Sequence, residues 1–409
     1  MPETPLPELP KKFRLTPEFE LLVACSWIAP PAQAAEQLQK IASLCSGEID
    51  WDEFVGLVRR HGVSALAYTM LCRHAGGLLP DKIKDSMRVQ HIQMSGQALR
   101  QTGELVRIGK FFSDQGVPII PLKGALLSQV LYGNPAMRES SDIDILVQPE
   151  YIDQADYLLT AEGYQCEYSE IELTEKQKKH LHNHAHHFGY FHKESGFVVE
   201  LHFRSFLWTP EQTAELWKNC QSINFMKIQF SSLSDDCLLL YLCEHGARHE
   251  WFCLKWLGDV AVLFSQDRKV DWIRFFDLAE RLDLTRVLVS AALIVHWLYN
   301  IQLPEPLCRL IQKEQNIVEL CSLAVNNLIV AQKHEGVWSP RLTEAMRIKK
   351  LKPSLPYIMI LKEFSIGPED FKTLSLPDKW FWLYYPLRPF TWILRKIMWS
   401  VDNNRITMR

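Results

Sequence analysis

Residues 121–150, PLKGALLSQVLYGNPAMRESSDIDILVQPE, set two aspartates, Asp142 and Asp144, one isoleucine apart at the head of an apolar run. In an extended segment alternate side chains share a face, so both carboxylates point one way and Ile143 and Ile145 the other. Two like charges that close repel, and solvent, a basic partner or a metal ion must offset the cost. A rigid carboxylate pair is a hard-oxygen site suited to Mg²⁺ or Mn²⁺. The plainer alternative is that the aspartates only begin a strand and cap a neighbouring loop. Further along, FVVELHF places Glu200 inside an otherwise apolar run, with His202 on its face. Burying a lone carboxylate costs several kcal/mol, so Glu200 either faces water from an edge strand or serves as a third acidic ligand. Phosphoryl transfer with two metal ions needs such a third carboxylate, because one ion must activate the attacking hydroxyl. Upstream, LKGALL predicts a strand ending in Lys123 and Gly124 and entering a helix. Backbone N–H groups at that turn can meet phosphate oxygens, and Lys123 adds a point charge.

The elements that must position these residues follow from periodicity and chain breakers. Residues 1–15 are a loose Pro-rich lead-in, and the pattern is then helical to about Ser113. Asp50 is the expected N-cap of one helix, and another runs from near Pro80 to just before Gly116. The texture changes near residue 115. GVPIIPLKG predicts a short buried strand, ALLSQVLYG a short helix, DIDILV a strand, and PEYIDQADYLLTAEGY a helix closed by Gly163. HHFGYFHKESGFVVELHF predicts a hairpin turning at 193–196. Helices return after Trp208. The division expected is a helical region 1–114, an α/β unit 115–208, a helical domain 209–375 and a basic aromatic tail 376–409.

A glycine turn, an Asp-x-Asp and a later acidic strand residue together resemble the DNA-polymerase-beta-like nucleotidyltransferase superfamily. More closely, the chain resembles a bacterial group described only as nucleotidyltransferase family proteins. Leu122-Lys123-Gly124, Tyr132, Arg138, Asp142-Ile143-Asp144, Glu200-Leu201-His202 and the stretch HGARHEWFCLKWLGD at 245–259 carry the likeness. It covers about 115–265. The resemblance implies an α+β fold, with a polymerase-beta-like core of small mixed sheet and helices embedded between helical N- and C-terminal segments. It also implies Mg²⁺- or Mn²⁺-dependent transfer of a nucleotidyl group from an NTP to an acceptor hydroxyl. In that scheme Asp142 and Asp144 hold two ions, and Glu200 orients or deprotonates the acceptor. Lys123 and the Gly124 amide grip the triphosphate, while Arg138 either neutralises phosphate charge or forms a structural salt bridge. The superfamily usually has Gly-Ser where this chain has Gly124-Ala125, and the gap of 142 − 124 = 18 residues to Asp142 is long. Ser128, Ser140 or Ser141 can supply the missing hydroxyl.

The 409 residues carry 45 basic and 48 acidic side chains, a net charge of −3, so no global basic field points to a long nucleic acid. An NTP and a small-molecule, peptide or protein acceptor need only a local site. Ten scattered cysteines without CxxC spacing, an N-terminus lacking an apolar signal region and the absence of a membrane-length apolar run predict a cytoplasmic protein. Six of fourteen histidines fall within 180–192; they either bind a metal or form a polar loop leading to the Glu200 strand. His245 and His249 have i, i+4 spacing, but Gly246 stands where a zincin has glutamate. From Asp378 onward six basic residues face two acidic ones among many aromatics. That tail can lie on an anionic membrane, dock a partner or pack back on the helical domain. Two rival functions share the motif: a glycosyltransferase whose Asp-x-Asp holds a sugar-nucleotide's metal, and a catalytically silent, antitoxin-like binding module.

Overall fold

Five helices precede the first strand in this computed structural model, which describes residues 5–204, 210–265, 272–330, 366–392 and 394. They are α1 (Pro17–Cys25), α2 (Pro31–Cys45), α3 (Trp51–His61), α4 (Ser64–His74) and α5 (Asp81–Asp114). Local chemistry sets their ends. The Thr16 hydroxyl accepts from the Phe19 N–H, and the Asp50 carboxylate accepts from Asp52 and Glu53 N–H groups at 3.1 and 3.0 Å. The long α5 starts after Pro80 and stops before Gly116, whose φ of +72° suits glycine.

A five-stranded sheet follows, built from β1 (Ile120–Pro121), β2 (Ile143–Leu146), β3 (Tyr164–Cys166), β4 (His187–His192) and β5 (Val198–His202). Its order is β1-β2-β5-β4-β3, with β2 and β5 parallel and the other pairs antiparallel. The first strand is shorter than its apolar run suggests. Pro118 and Pro121 have no N–H to give a ladder, although Leu122 N–H still reaches the Asp144 carbonyl at 3.0 Å. Between strands lie α6 (Gly124–Tyr132), a 3-10 turn with α7 (Ile152–Ala161), and α8 (Glu175–His184). Then come α9 (Pro210–Lys218), a hairpin of β6 (Cys220–Phe225) and β7 (Ile228–Leu233), and α10 (Asp235–Arg248). Further helices among the described residues include α11 (Leu254–Ser265), α12 (Trp272–Arg281), α13 (Thr285–Tyr299), α14 (Glu305–Lys313), α15 (Ile317–Ile329) and α16 (Pro368–Thr373), followed by a 3-10 helix at Asp378–Leu383.

Two apolar cores result. One joins the N-terminal helices α1 to α4 with α10 to α15 and takes in Leu122, Leu127 and Leu146. The other gathers Leu105, Ile108 and Phe112 of α5, the inner faces of α7 and α8, and Ile143, Ile145, Val147, Val199, Leu201 and Phe203 of the sheet. Strand alternation explains the partition, because odd residues of β2 and β5 enter the second core and even ones face the first. The described part of the tail packs back, but on the sheet core rather than on the helical domain. Phe381 and Tyr384 are buried in the second core, and Gln177 of α8 donates to the Tyr384 hydroxyl at 3.0 Å. Arg388 pairs with the buried Asp370 at 3.1 Å. Residues 395–409 of the tail, and 331–365 of the expected helical domain, lie outside the described residues.

Candidate active site

The parallel register of β2 and β5 sets Asp144 against Glu200 and Leu146 against His202. All four side chains therefore lie on the sheet face turned away from the second core. Asp144 is only 2% exposed. Its Oδ1 takes the Lys123 ammonium at 2.9 Å and His202 Nε2 at 3.0 Å, and the same nitrogen lies 3.1 Å from Glu200 Oε2. Both oxygens are acceptors, so His202 Nε2 carries the hydrogen. Asp144 Oδ2 is buried without a hydrogen-bond partner. Burial works against ionising Asp144, but Lys123 and His202 prevail and hold its carboxyl well below the usual range. The His202 hydrogen bond likewise lowers Glu200 against the effect of burial. Burial opposes charge on His202 itself, yet bonds to Asp144 and Glu200 raise its pKa.

Asp142 stands one residue before β2, half-buried, with its Oδ1 accepting from Ser140 Oγ at 3.2 Å. Burial and then the Asp144 charge push its pKa up. Asp144, Glu200 and His202 offer donor atoms within 4.8 Å of one another, and Asp142 is outside that group. The Lys-Gly turn is where expected: Gly124 opens α6 at φ +66°, a conformation that side-chain-bearing residues avoid. Of the three candidate hydroxyls, Ser128 donates to the Asn134 carbonyl at 2.6 Å and Ser140 to the Asp142 carbonyl at 3.0 Å. Ser141 is exposed at the rim.

Arg138 is committed elsewhere. Its Nε donates to Asp259 Oδ2 at 2.7 Å, while the Tyr132 hydroxyl donates to Asp259 Oδ1 at 3.0 Å. Three residues that carried the family likeness thus meet in one buried cluster, tying α6 and the loop before β2 to α11.

The histidine-rich segment divides. His180 and His184 stack on each other beside Phe371 and Phe381, away from the carboxylates, and His192 packs on Tyr164. His187 sits opposite His202 across β4 and β5, its Nε2 3.9 Å from Glu200 Oε1. Burial, with His202 next to it, lowers the His187 pKa to about 4. The helix expected to carry His245 and His249 ends at Arg248, because Glu250 and Trp251 take φ of +56° and +55°. Arg248 reaches His186 Nε2 at 3.2 Å and His249 Nε2 at 2.9 Å. Guanidinium can only donate, so both of those ring nitrogens accept.

Sequence reasoning placed His202 on the face of Glu200 but did not give it a part in the donor group; the two-residue spacing was the available signal. Nothing local announced Arg248 or the pairing of Arg138 with Asp259. The donor set of two carboxylates and an imidazole, together with the orphaned Asp144 Oδ2, fits a divalent cation.

A small mixed sheet with acidic side chains on adjoining strands, flanked by helical segments, defines a nucleotidyltransferase-type core. The chain belongs to the family described as uncharacterised nucleotidyltransferases, whose profile matches residues 47–300. No curated protein and no solved structure matches it. No helix among the described residues is long and apolar enough to cross a membrane.

Proposed function

We propose that this chain is a Mg²⁺- or Mn²⁺-dependent nucleotidyltransferase, moving a nucleotidyl group from an NTP to a hydroxyl of a small-molecule, peptide or protein acceptor. The observation that carries this reading is Asp144 facing Glu200 in register on adjoining parallel strands, with one buried carboxylate oxygen left without a partner. A divalent cation, when bound, supplies positive charge to the phosphates and acidity to the attacking hydroxyl. Asp142 and Asp144 hold it, with Asp142 completing the site from the rim. Glu200 orients the acceptor and takes its hydroxyl proton. Lys123 and the Gly124 amide, at the N-terminus of α6, bind phosphate oxygens, and the exposed Ser141 supplies a hydroxyl to the nucleotide. Arg138, already paired with Asp259, fixes the loop that presents Asp142. All ten cysteines are free, which supports a cytoplasmic setting.

The test combines binding with turnover. Mg²⁺ or Mn²⁺ plus each NTP should raise the thermal midpoint, by about 2.7 kcal/mol of stabilisation at a hundredfold excess over Kd. Asp144→Asn should lose that shift. Glu200→Gln, which leaves both aspartates in place, should weaken it only in part and yet reduce labelling of acceptors in cell extract from labelled NTP by at least about a hundredfold. An equal thermal shift in wild type and Asp144→Asn would remove the metal assignment.

A further inference from the structure

We propose that His202 is a direct metal ligand, so the ion seated between β2 and β5 is a first-row transition ion rather than Mg²⁺. This rests on the metal-dependent reading above and sharpens it. A site made of Asp142, Asp144 and Glu200 alone would offer only oxygen, the donor Mg²⁺ prefers. The structure brings together a different set: Asp144, Glu200 and His202 converge, while Asp142 remains at the rim.

The spacing matches coordination. Cis ligands on an octahedral ion with bonds of about 2.1–2.2 Å lie about 3 Å apart. His202 Nε2 is 3.0 Å from Asp144 Oδ1 and 3.1 Å from Glu200 Oε2. Its side chain is 6% exposed and that of Asp144 fully buried, so these two donors are held by the sheet, while Glu200, 28% exposed, opens toward solvent. Two buried polar atoms on this face have no partner, Asp144 Oδ2 and His187 Nδ1. An incoming ion gives the first an electrostatic partner. Imidazole nitrogen binds Mn²⁺ weakly, Co²⁺ and Zn²⁺ more strongly, and Mg²⁺ very poorly, as ligand softness and the Irving–Williams order require. For the nitrogen to coordinate, the hydrogen it now donates to the two carboxylates leaves to solvent.

The experiment measures metal binding to the full-length protein directly, by calorimetry with Mg²⁺, Mn²⁺ and Co²⁺ and by pulsed EPR of the Mn²⁺ complex. Wild type should bind Mn²⁺ at least about tenfold more tightly than Mg²⁺, and Co²⁺ more tightly still, with nitrogen modulation of the Mn²⁺ signal. His202→Gln should lower Mn²⁺ and Co²⁺ affinity by about tenfold or more, leave Mg²⁺ nearly unchanged and abolish the nitrogen signal. If that variant does not fold, the nitrogen modulation of wild type decides alone. Mn²⁺ bound without nitrogen modulation would mean that His202 is only a hydrogen-bonded strut between carboxylates, and would overturn this inference while leaving the transferase reading intact. No divalent ion bound, with or without NTP, would overturn both.

Discussion

Arg138 and Asp259 stand 121 positions apart and meet with side chains 3% and 0% exposed. A buried ion pair adds little net stability over an apolar pair, but breaking one strands a charge in a low dielectric. Burial pushes the Asp259 carboxyl up even though Arg138 and Tyr132 pull it back down. Asp259→Asn should therefore destabilise the protein by about 3–5 kcal/mol, read as a lower urea midpoint at unchanged slope. Replacing both partners, as Arg138→Met with Asp259→Leu, should recover much of that loss. A cost below about 1 kcal/mol for Asp259→Asn would show that the guanidinium has another counter-charge, and would restore Arg138 as a phosphate ligand. The contrast with Asp144 and Glu200 explains what could be read in advance. A carboxylate within an apolar strand announces itself by its cost, whereas the partner of an arginine more than a hundred residues away leaves no trace in local pattern.

At the scale of elements, the corner between α10 and α11 is set by a steric fit. A Cβ on Gly246 would come within 2.1 Å of the Trp251 ring, itself 3% exposed and held at φ +55°. Gly96, in the middle of α5, has nothing within 4 Å of where its Cβ would be. Gly246→Ala should thus cost about 1–3 kcal/mol through overpacking, while Gly96→Ala should gain up to about 1 kcal/mol from helix propensity. Thermal melts of the two variants side by side test this; equal midpoints would mean that Trp251 can swing away and the corner is not rigid. The elements themselves were largely legible, because each had a physical marker. Pro80 and Gly116 bracket α5, Asp50 caps α3, and alternation in DIDILV and FVVELHF sets which side chains share a face. Their meeting as parallel neighbours was not legible, since register across 58 residues between Asp144 and His202 depends on the sheet and not on either strand. The break after Arg248 was also hidden, because it rests on two positive-φ residues, Glu250 and Trp251, that carry no turn signature.

For the whole molecule, buried neutral histidines link chemistry to acid stability in both cores. His61 of α3 accepts the Leu254 N–H of α11 at 3.1 Å, so it joins the N-terminal helices to the C-terminal ones. Burial, with Arg60 adjacent, lowers its pKa from 6.5 to about 3. On the sheet side, His180 of α8 donates through Nε2 to the Ile366 carbonyl at 3.2 Å, and burial beside His184 lowers its pKa to about 4. An unfolded chain protonates both rings below about pH 6.5, while the folded chain resists until about pH 3–4. Their contribution is thus fully present above pH 6.5 and is lost as pH falls, by up to about 1.4 kcal/mol per pH unit for each ring. His202 has a raised pKa and acts in the opposite sense, but His187 and His249 are lowered to about 4 and about 3 by burial, so the acid-labile group is the larger. Urea unfolding between pH 7.5 and 4.5 should show stability falling steadily with acid. In His61→Asn with His180→Gln, which keeps an acceptor for Leu254 and a donor for Ile366, the slope should flatten by about a third, because burial also lowers His91 and His245. A variant whose slope equals that of wild type would mean that these rings protonate without opening either core, and that acid enters at the carboxylates instead.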